Sequence, residues 1–151
     1  MVANAAPMSA NDDYPETRPA TRAIIGAAMK VHGRMGMGFV EKVYENALAF
    51  ELGRSGIAYE RQASMQVRYE DQLVGQFVAD LVVDSRVIVE LKAVPCLTED
   101  HRAQCVNYLR STGLNVCLLL NFGRRRLEYK RFVFSHSLAR IGGPLATIGV
   151  P

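Results

Sequence analysis

The sequence has few cysteines and no long apolar stretch, and both shortages exclude whole classes of protein. Its three cysteines, Cys96, Cys105 and Cys117, form an odd set without CxxC spacing. That pattern argues against a disulfide framework and against a zinc knuckle. Cys105 and Cys117 lie in apolar patterns and are predicted to be core thiols. No apolar run approaches the roughly 20 residues of a membrane span, so we expect no membrane partner.

A secretory signal is also missing, because the N-terminus has no basic start followed by an apolar core. We therefore expect a cytoplasmic location. The Pro, Ala, Asn and Asp content of residues 1–20 predicts a flexible N-terminal arm. The length of 151 residues, with 49% hydrophobic and 22% charged residues, is typical of one globular domain. We assign that domain to residues 21–135 and a C-terminal tail to residues 136–151.

Hydrophobic periodicity predicts an α/β fold with a central mixed β-sheet flanked by helices. The predicted order is helix, helix, three strands, helix, two strands. The helices are expected at 21–34, 39–54 and 98–111, and the strands at 57–69, 73–83, 86–94, 114–122 and 127–134. The second helix should bury Val40, Val43, Tyr44, Ala47, Leu48 and Leu52 on one side, and Gly56 is well placed to cap it.

The second and third strands together carry an acid, a second acid and a lysine. If the hairpin pairs Val83 with Val87, the odd-numbered apolar residues from Phe77 to Leu91 share one face. Asp80 then stands directly opposite Glu90 on the other face, and Lys92 follows two residues later. A two-residue loop would shift the register by one and separate the acids. The apolar pattern therefore favours the register that brings the two carboxylates together.

Two such carboxylates repel each other unless a cation lies between them. Hard oxygen ligands suit Mg²⁺ or Mn²⁺, with water and a phosphate completing the shell. Lys92 could then orient the attacking water or stabilise the developing charge. The alternative is that Asp80, Glu90 and Lys92 form the salt-bridged polar face of a half-exposed sheet. Gln104 and Tyr108, which share a face of the third helix, favour the metal-site interpretation.

Two further groups of polar residues have both a functional and a structural interpretation. Glu41, near the start of the second helix, offers a third carboxylate, or is simply an acid favoured by the helix dipole. The segment GRRRLEYKR at 123–131 contains Arg124, Arg125, Arg126, Lys130 and Arg131 against one acid. This cluster either contacts nucleic-acid phosphates or is a solvated strand-and-turn surface.

These residues carry a resemblance. The series Asp80, Glu90-Leu91-Lys92 and Gln104-x-x-x-Tyr108 resembles the PD-(D/E)XK nuclease superfamily, in particular its RecB-like branch. The small bacterial GxxExxxR protein family is closer still, through VHGRMGMGFVEKVYENAL at 31–48, GQFVADLVV at 75–83, VIVELKAV at 87–94, AQCVNYL at 103–109 and LLLNFG at 118–123. The match covers roughly two-thirds of the chain in order and spacing.

The resemblance implies a restriction-endonuclease-like core and a site for Mg²⁺ or Mn²⁺. The implied metal ligands are Asp80, Glu90, the Leu91 carbonyl and Glu41, with Lys92 as the catalytic lysine and Gln104 and Tyr108 as accessory catalytic groups. The chain also departs from the pattern. Ala79 replaces the usual proline, and Glu45 replaces the arginine four residues after the helix acid. The cluster-binding cysteines of some relatives are absent, so we expect no iron–sulfur cluster.

The expected function is that of a metal-dependent nuclease acting on nucleic acid, DNA in preference to RNA. The alternative is a nucleic-acid-binding module on the same fold that cuts little or nothing. A third interpretation is a structural or protein-interaction domain. The chain shows no separate substrate-selecting domain, so a partner protein or a homodimer is expected to supply that role. His32 is either a metal ligand, as in some RecB-like nucleases, or a packed or exposed histidine.

Overall fold

The computed structural model describes residues 14–136 and the backbone of residues 146–148. A 3-10 helix, Pro15–Thr17, leads directly into α1, Arg18–Met35, and α2 spans Glu41–Arg54. The strands are β1 Tyr59–Tyr69, β2 Gln72–Val83, β3 Val87–Lys92, β4 Val116–Asn121, β5 Glu128–Val133 and β6 Ala146–Ile148, with α3, Glu99–Ser111, between β3 and β4. Over residues 14–136 this is the predicted order of helices and strands.

In the described residues the sheet has the strand order β5-β4-β3-β2-β1-β6. β3 and β4 pair in parallel, through the crossover helix α3, and the other neighbours pair antiparallel. The sheet is therefore mixed, as predicted. Both faces of β3 and β4 are covered, which explains why β4 is almost entirely apolar.

The two faces of the sheet carry separate hydrophobic clusters. α1 and α2 pack on one face, where Ile24, Tyr44 and Leu48 meet Val89 and Leu118. α3 packs on the other face. α3 begins at the predicted residue, because the Thr98 hydroxyl accepts a hydrogen bond from the His101 backbone N–H.

Several predicted boundaries and burials were wrong. Residues 15–20 are helical, so the predicted arm over residues 1–20 does not extend to Ala20; residues 1–13 lie outside the described part of the chain. The predicted tail contains β6, which pairs with β1. Val40 is exposed because it precedes the first turn of α2, where helical spacing does not apply.

The β2–β3 register was predicted correctly, with Val83 paired to Val87 and Leu81 to Val89. The prediction that the apolar residues of β2 share a single face was wrong. Phe77 and Ala79 pack on the α3 face, whereas Leu81 and Val83 pack on the opposite face. The side of burial changes at Asp80 because the β1–β2 ladder skips a pair there.

None of the helices within residues 14–136 combines the length and the apolar content that crossing a bilayer requires.

Candidate active site

Asp80 and Glu90 meet where β2 and β3 stop pairing through their backbones. The Asp80 backbone N–H donates to Glu90 Oε1 at 3.1 Å, and the Leu91 N–H donates to Asp80 Oδ2 at 2.8 Å. Each carboxylate thus takes the place of a backbone carbonyl on the neighbouring strand. The two acids lie side by side, as the register argument predicted. One oxygen of each carboxylate makes these bonds.

Glu90 is buried, with only 3% of its surface exposed. Burial, together with the negative charge of Asp80, raises the pKa of Glu90 to about 9. The positive charge of Lys92 acts in the opposite direction and is outweighed. Glu90 is therefore protonated at neutral pH when no cation is present. A carboxyl whose pKa is shifted by burial and by a neighbouring charge is a candidate functional group.

The α3 side of the site contains the predicted accessory pair. The Gln104 side-chain amide donates to the Tyr108 hydroxyl at 2.7 Å. The Tyr108 ring is stacked on Phe77 with centroids 4.0 Å apart. Burial and the charge of Glu90 raise the pKa of Tyr108 above its usual range. The phenol therefore keeps its proton, and because its oxygen already accepts from Gln104, that proton is available to a ligand.

A cleft of about 610 Å³ opens on the other side of Asp80, at the start of α2. Glu41 is the first residue of α2 and is exposed. It lines this cleft together with Asp80 and Ala93. We call this space the carboxylate cleft. Glu41 thus faces the same space as Asp80 without joining the hydrogen bonds between Asp80 and Glu90.

Glu45 is a residue of the cleft whose contacts the sequence did not reveal. It is buried and accepts hydrogen bonds from the Arg61 guanidinium, from the Gln62 amide and from the Lys42 ammonium at 2.9 Å. Burial acts to raise its pKa, but the bonds from Arg61 and Lys42 outweigh burial and hold the pKa of Glu45 below its ordinary value.

These bonds have a consequence for Asp80. Gln62 has a left-handed backbone, with φ of 49°, and lies opposite Asp80 where the β1–β2 ladder skips a pair. Because Glu45 holds the Gln62 side chain, it fixes the irregularity that turns β2 at Asp80.

Asn121 is a second residue whose role was missed. It is fully buried at the end of β4, and its Oδ1 accepts from the N–H groups of Val94 and Gly123, at 3.1 and 3.0 Å. Its Nδ2 donates to the Val94 carbonyl at 3.0 Å, while the Phe122 N–H donates to the Lys92 carbonyl at 2.8 Å. These bonds fix the chain directly after Lys92. The signal was present in the sequence, as an isolated amide that ends an apolar strand.

The basic residues do not form one surface. Arg124, Arg125 and Arg126 are exposed and line a second cleft with Met37 and Pro95. We call it the arginine cleft. Arg124 is also paired with Glu128, at 2.9 Å. Successive side chains of a strand point to opposite faces, so Lys130 and Arg131 in β5 are directed to opposite sides of the sheet.

His32 is a packed histidine, which is the structural one of the two roles considered for it. It is buried beside the Phe122 ring, and its Nε2 lies 2.7 Å from the Arg124 carbonyl. Cys105 and Cys117 are buried free thiols, as predicted, and Cys96 is exposed.

The donors at the site fit a hard divalent cation. Asp80 and Glu90 supply adjacent carboxylate oxygens, and a cation between them would offset the burial and the charge of Asp80 that together keep Glu90 protonated. Within the described residues, however, no three His, Cys, Asp or Glu side chains converge closely enough to form a complete ligand group. A cation would therefore need oxygens from the backbone, from solvent or from substrate in addition to this pair.

Comparison with known proteins agrees with this geometry. A family model described as the PD-(D/E)XK nuclease superfamily matches residues 18–132, which span the chain from α1 to β5. No curated protein and no solved structure matches the chain. The mixed sheet flanked by helices is the restriction-endonuclease-like core of that superfamily, whose members are generally nucleases. The chain therefore belongs to the PD-(D/E)XK nuclease superfamily.

Proposed function

We propose that this protein is a metal-dependent nuclease that hydrolyses phosphodiester bonds of nucleic acid, DNA in preference to RNA. The observation that carries the proposal is the contact between Asp80 and Glu90. Two acids are hydrogen-bonded into the gap between β2 and β3, and one of them has a pKa raised to about 9. Such a pair weakens the folded protein unless a cation binds there, so a purely structural role explains it poorly.

In this proposal Asp80, Glu90 and the Leu91 carbonyl hold Mg²⁺ or Mn²⁺, and Glu41 faces the substrate side of the carboxylate cleft. The bound metal would polarise the phosphate and lower the pKa of a coordinated water. Lys92 lies close enough for its charge to act on Glu90. Its ammonium would donate to the attacking water or to the phosphate oxygens.

Tyr108 and Gln104 would act as positioning groups on the α3 side. Tyr108 keeps its proton and would donate it as a hydrogen bond towards the phosphate or the bound water, while the Gln104 amide fixes the direction of the phenol. The arginine cleft would bind the backbone next to the scissile bond, with Arg124, Arg125 and Arg126 supplying the positive charge.

The narrower assignment to the GxxExxxR family, in the RecB-like branch, remains a prediction. Gly38 and Glu41 supply the first two motif residues, whereas Glu45 stands in place of the arginine. Arg61 is bound to that carboxylate, so a guanidinium still lies beside this turn of α2.

The test is cleavage of labelled single-stranded, double-stranded and branched DNA and RNA, with Mg²⁺, with Mn²⁺ or with a chelator. Asp80→Asn and Lys92→Ala are compared with wild type. Asp84→Asn is the matched control, because Asp84 is an exposed acid in the turn after β2 with a left-handed φ that Asn tolerates. We expect metal-dependent cutting by wild type and Asp84→Asn alone. Identical behaviour of all four proteins would refute the proposal.

A second candidate is a nucleic-acid-binding module that works with a partner protein or as a homodimer. It is favoured by the absence of a third converging ligand beside Asp80 and Glu90 in the described residues. Both candidates predict binding that weakens as salt rises. In the nuclease, Asp80→Asn abolishes cutting and leaves binding intact, whereas the binding module shows no cutting to abolish.

A further inference from the structure

The loop between α1 and α2, residues 36–40, carries three exposed apolar side chains beside the candidate active site. Met37 is 52% exposed, Phe39 47% and Val40 68%. Phe39 and Val40 line the carboxylate cleft, and Met37 lines the arginine cleft. The loop therefore borders both clefts. Apolar side chains grouped at the rim of a cleft are candidates for contact with a ligand.

The buried Tyr44 holds this loop in place. Its hydroxyl donates to the Gly36 carbonyl at 2.6 Å and accepts from the Phe39 N–H at 3.3 Å. The Phe39 ring meets the Tyr44 ring edge-on, with centroids 6.0 Å apart, and Tyr44 is itself stacked on Phe122. The loop backbone is thus fixed from below, while about half of the Phe39 surface stays in solvent. Ordering Phe39 on a ligand would cost little additional entropy.

The surroundings of the loop indicate which partner it fits. Three arginines border it on one side and the acids Asp80 and Glu41 on the other. A strand whose phosphates lie along the arginines and reach the acids would run beside this loop, because Met37 lines the arginine cleft and Phe39 lines the carboxylate cleft. An aromatic ring next to a phosphate-binding groove is the arrangement with which proteins hold the bases of single strands. In a duplex the base faces are stacked on one another and closed to such a ring.

We propose that Phe39 stacks on an unpaired nucleobase next to the scissile phosphate, with Met37 and Val40 as apolar flanks. The substrate class is then single-stranded DNA, or DNA with an unpaired segment at the cut site. This inference rests on the proposed function and narrows it. Phe39 is a specificity-determining residue, because it selects unpaired bases and takes no part in the chemical step.

The test measures binding separately from cutting, in the Asp80→Asn background. Single-stranded DNA and a blunt duplex of the same sequence are compared, each with 2-aminopurine as a fluorescent base. Phe39→Ala removes the ring, Phe39→Leu keeps an apolar side chain without a π face, and Phe39→Trp keeps the stacking surface. Phe50→Ala is the matched control, since Phe50 is an exposed aromatic on α2 that lines neither cleft.

One stacked base corresponds to about a 5- to 150-fold change in affinity. We expect Phe39→Ala and Phe39→Leu to lose that factor on the single strand, with little change on the duplex, and to lose the quenching of 2-aminopurine. Phe39→Trp should retain both properties, and Phe50→Ala should match the parent protein. Melting temperatures close to that of the parent would show that the variants are folded.

The proposal is overturned if Phe39→Ala binds single strands as tightly as the parent, or if it weakens single strand and duplex equally. It is also overturned if the only effect of the change is to convert a dimer into a monomer, which would make the loop a protein interface. A wild type that binds single strands through Phe39 yet never cuts would defeat the nuclease and leave the stacking of Phe39 on unpaired bases standing. If wild type cuts and Phe39→Ala is indistinguishable from it, the nuclease stands and the stacking role of Phe39 is overturned.

Discussion

The proton on Glu90 gives the sharpest prediction. In the folded protein its pKa is about 9, against an ordinary value of 4.5. Between these two values the unfolded chain has released the proton and the folded chain still holds it. The contribution of the Glu90 carboxyl to the free energy of unfolding is therefore fully present below pH 4.5. It is lost as the pH rises towards 9, by about 1.4 kcal/mol per pH unit. At pH 7, about 2.5 units above the ordinary value, the accumulated cost is about 3 kcal/mol.

Glu90→Gln should remove this cost, because Gln has the shape of the protonated acid and its carbonyl oxygen can accept from the Asp80 N–H. We expect the metal-free variant to be more stable than wild type by about 3 kcal/mol at pH 7. The difference should grow towards pH 9 and vanish near pH 4.5. Urea unfolding at several pH values measures it, with chelator present throughout.

Bound metal should reverse the order of stability of wild type and Glu90→Gln. Binding at the Asp80–Glu90 pair must displace the proton, so the apparent affinity of wild type for Mn²⁺ should rise about tenfold per pH unit below pH 9. Calorimetry in buffers of different ionisation enthalpy should find about one proton released per metal at pH 7, and none for Glu90→Gln. A stability difference that is flat from pH 5 to pH 9, or binding without proton release, would refute the assignment of a protonated carboxyl.

Three further predictions concern residues around the site. Gly123→Ala should destabilise the protein by about 3 kcal/mol, because its Cβ would overlap the backbone of Ala93 and Val94 that follows β3. Gly113→Ala, with open space around it, should be nearly neutral, and both are measured by urea unfolding. Glu45→Gln should cost about 1–3 kcal/mol of unfolding free energy at pH 7, because a lowered pKa gives stability that is present above pH 4.5 and lost as the pH falls further. A cost that persists unchanged at pH 3 would contradict the ion-pair explanation. The control is Glu99→Gln, which changes an exposed acid. Tyr108→Phe should reduce cutting about 10- to 100-fold without lowering the melting temperature, because the ring stack survives and only the hydroxyl is lost; full activity in steady-state cleavage would remove Tyr108 from the site.

The register at Asp80 and Glu90 could be predicted because strand periodicity is a local property. Pairing Val83 with Val87 was the arrangement that placed the odd-numbered apolar residues of both strands on one face. The structure has that pairing and the shared face for Leu81 to Leu91, but not for Phe77 and Ala79. The start of α3 was equally local, since a capping hydroxyl at Thr98 and acids in the next turn act within a few residues.

Residues whose partners are distant in sequence could not be predicted in this way. Nothing local to α2 indicated that Glu45 is buried, because its partner Arg61 lies 16 residues later in the chain. The change of buried side along β2 has the same origin, since it depends on the irregular backbone of Gln62 in a neighbouring strand. Asn121 is a polar residue at the end of an apolar strand, but its bonds to Val94 exist only because β4 lies beside β3.

The sequence by itself determined the order of the elements, the pairing of the two acids and the chemistry that they suit, because these follow from short-range periodicity and residue type. Only the tertiary structure decided the state of those acids. Burial against α3 and the nearness of Asp80 keep the proton on Glu90, and neither is a property of the local chain. The fold likewise brings the loop of residues 36–40 between the acids and the arginines, because three segments distant in sequence meet at one end of the sheet.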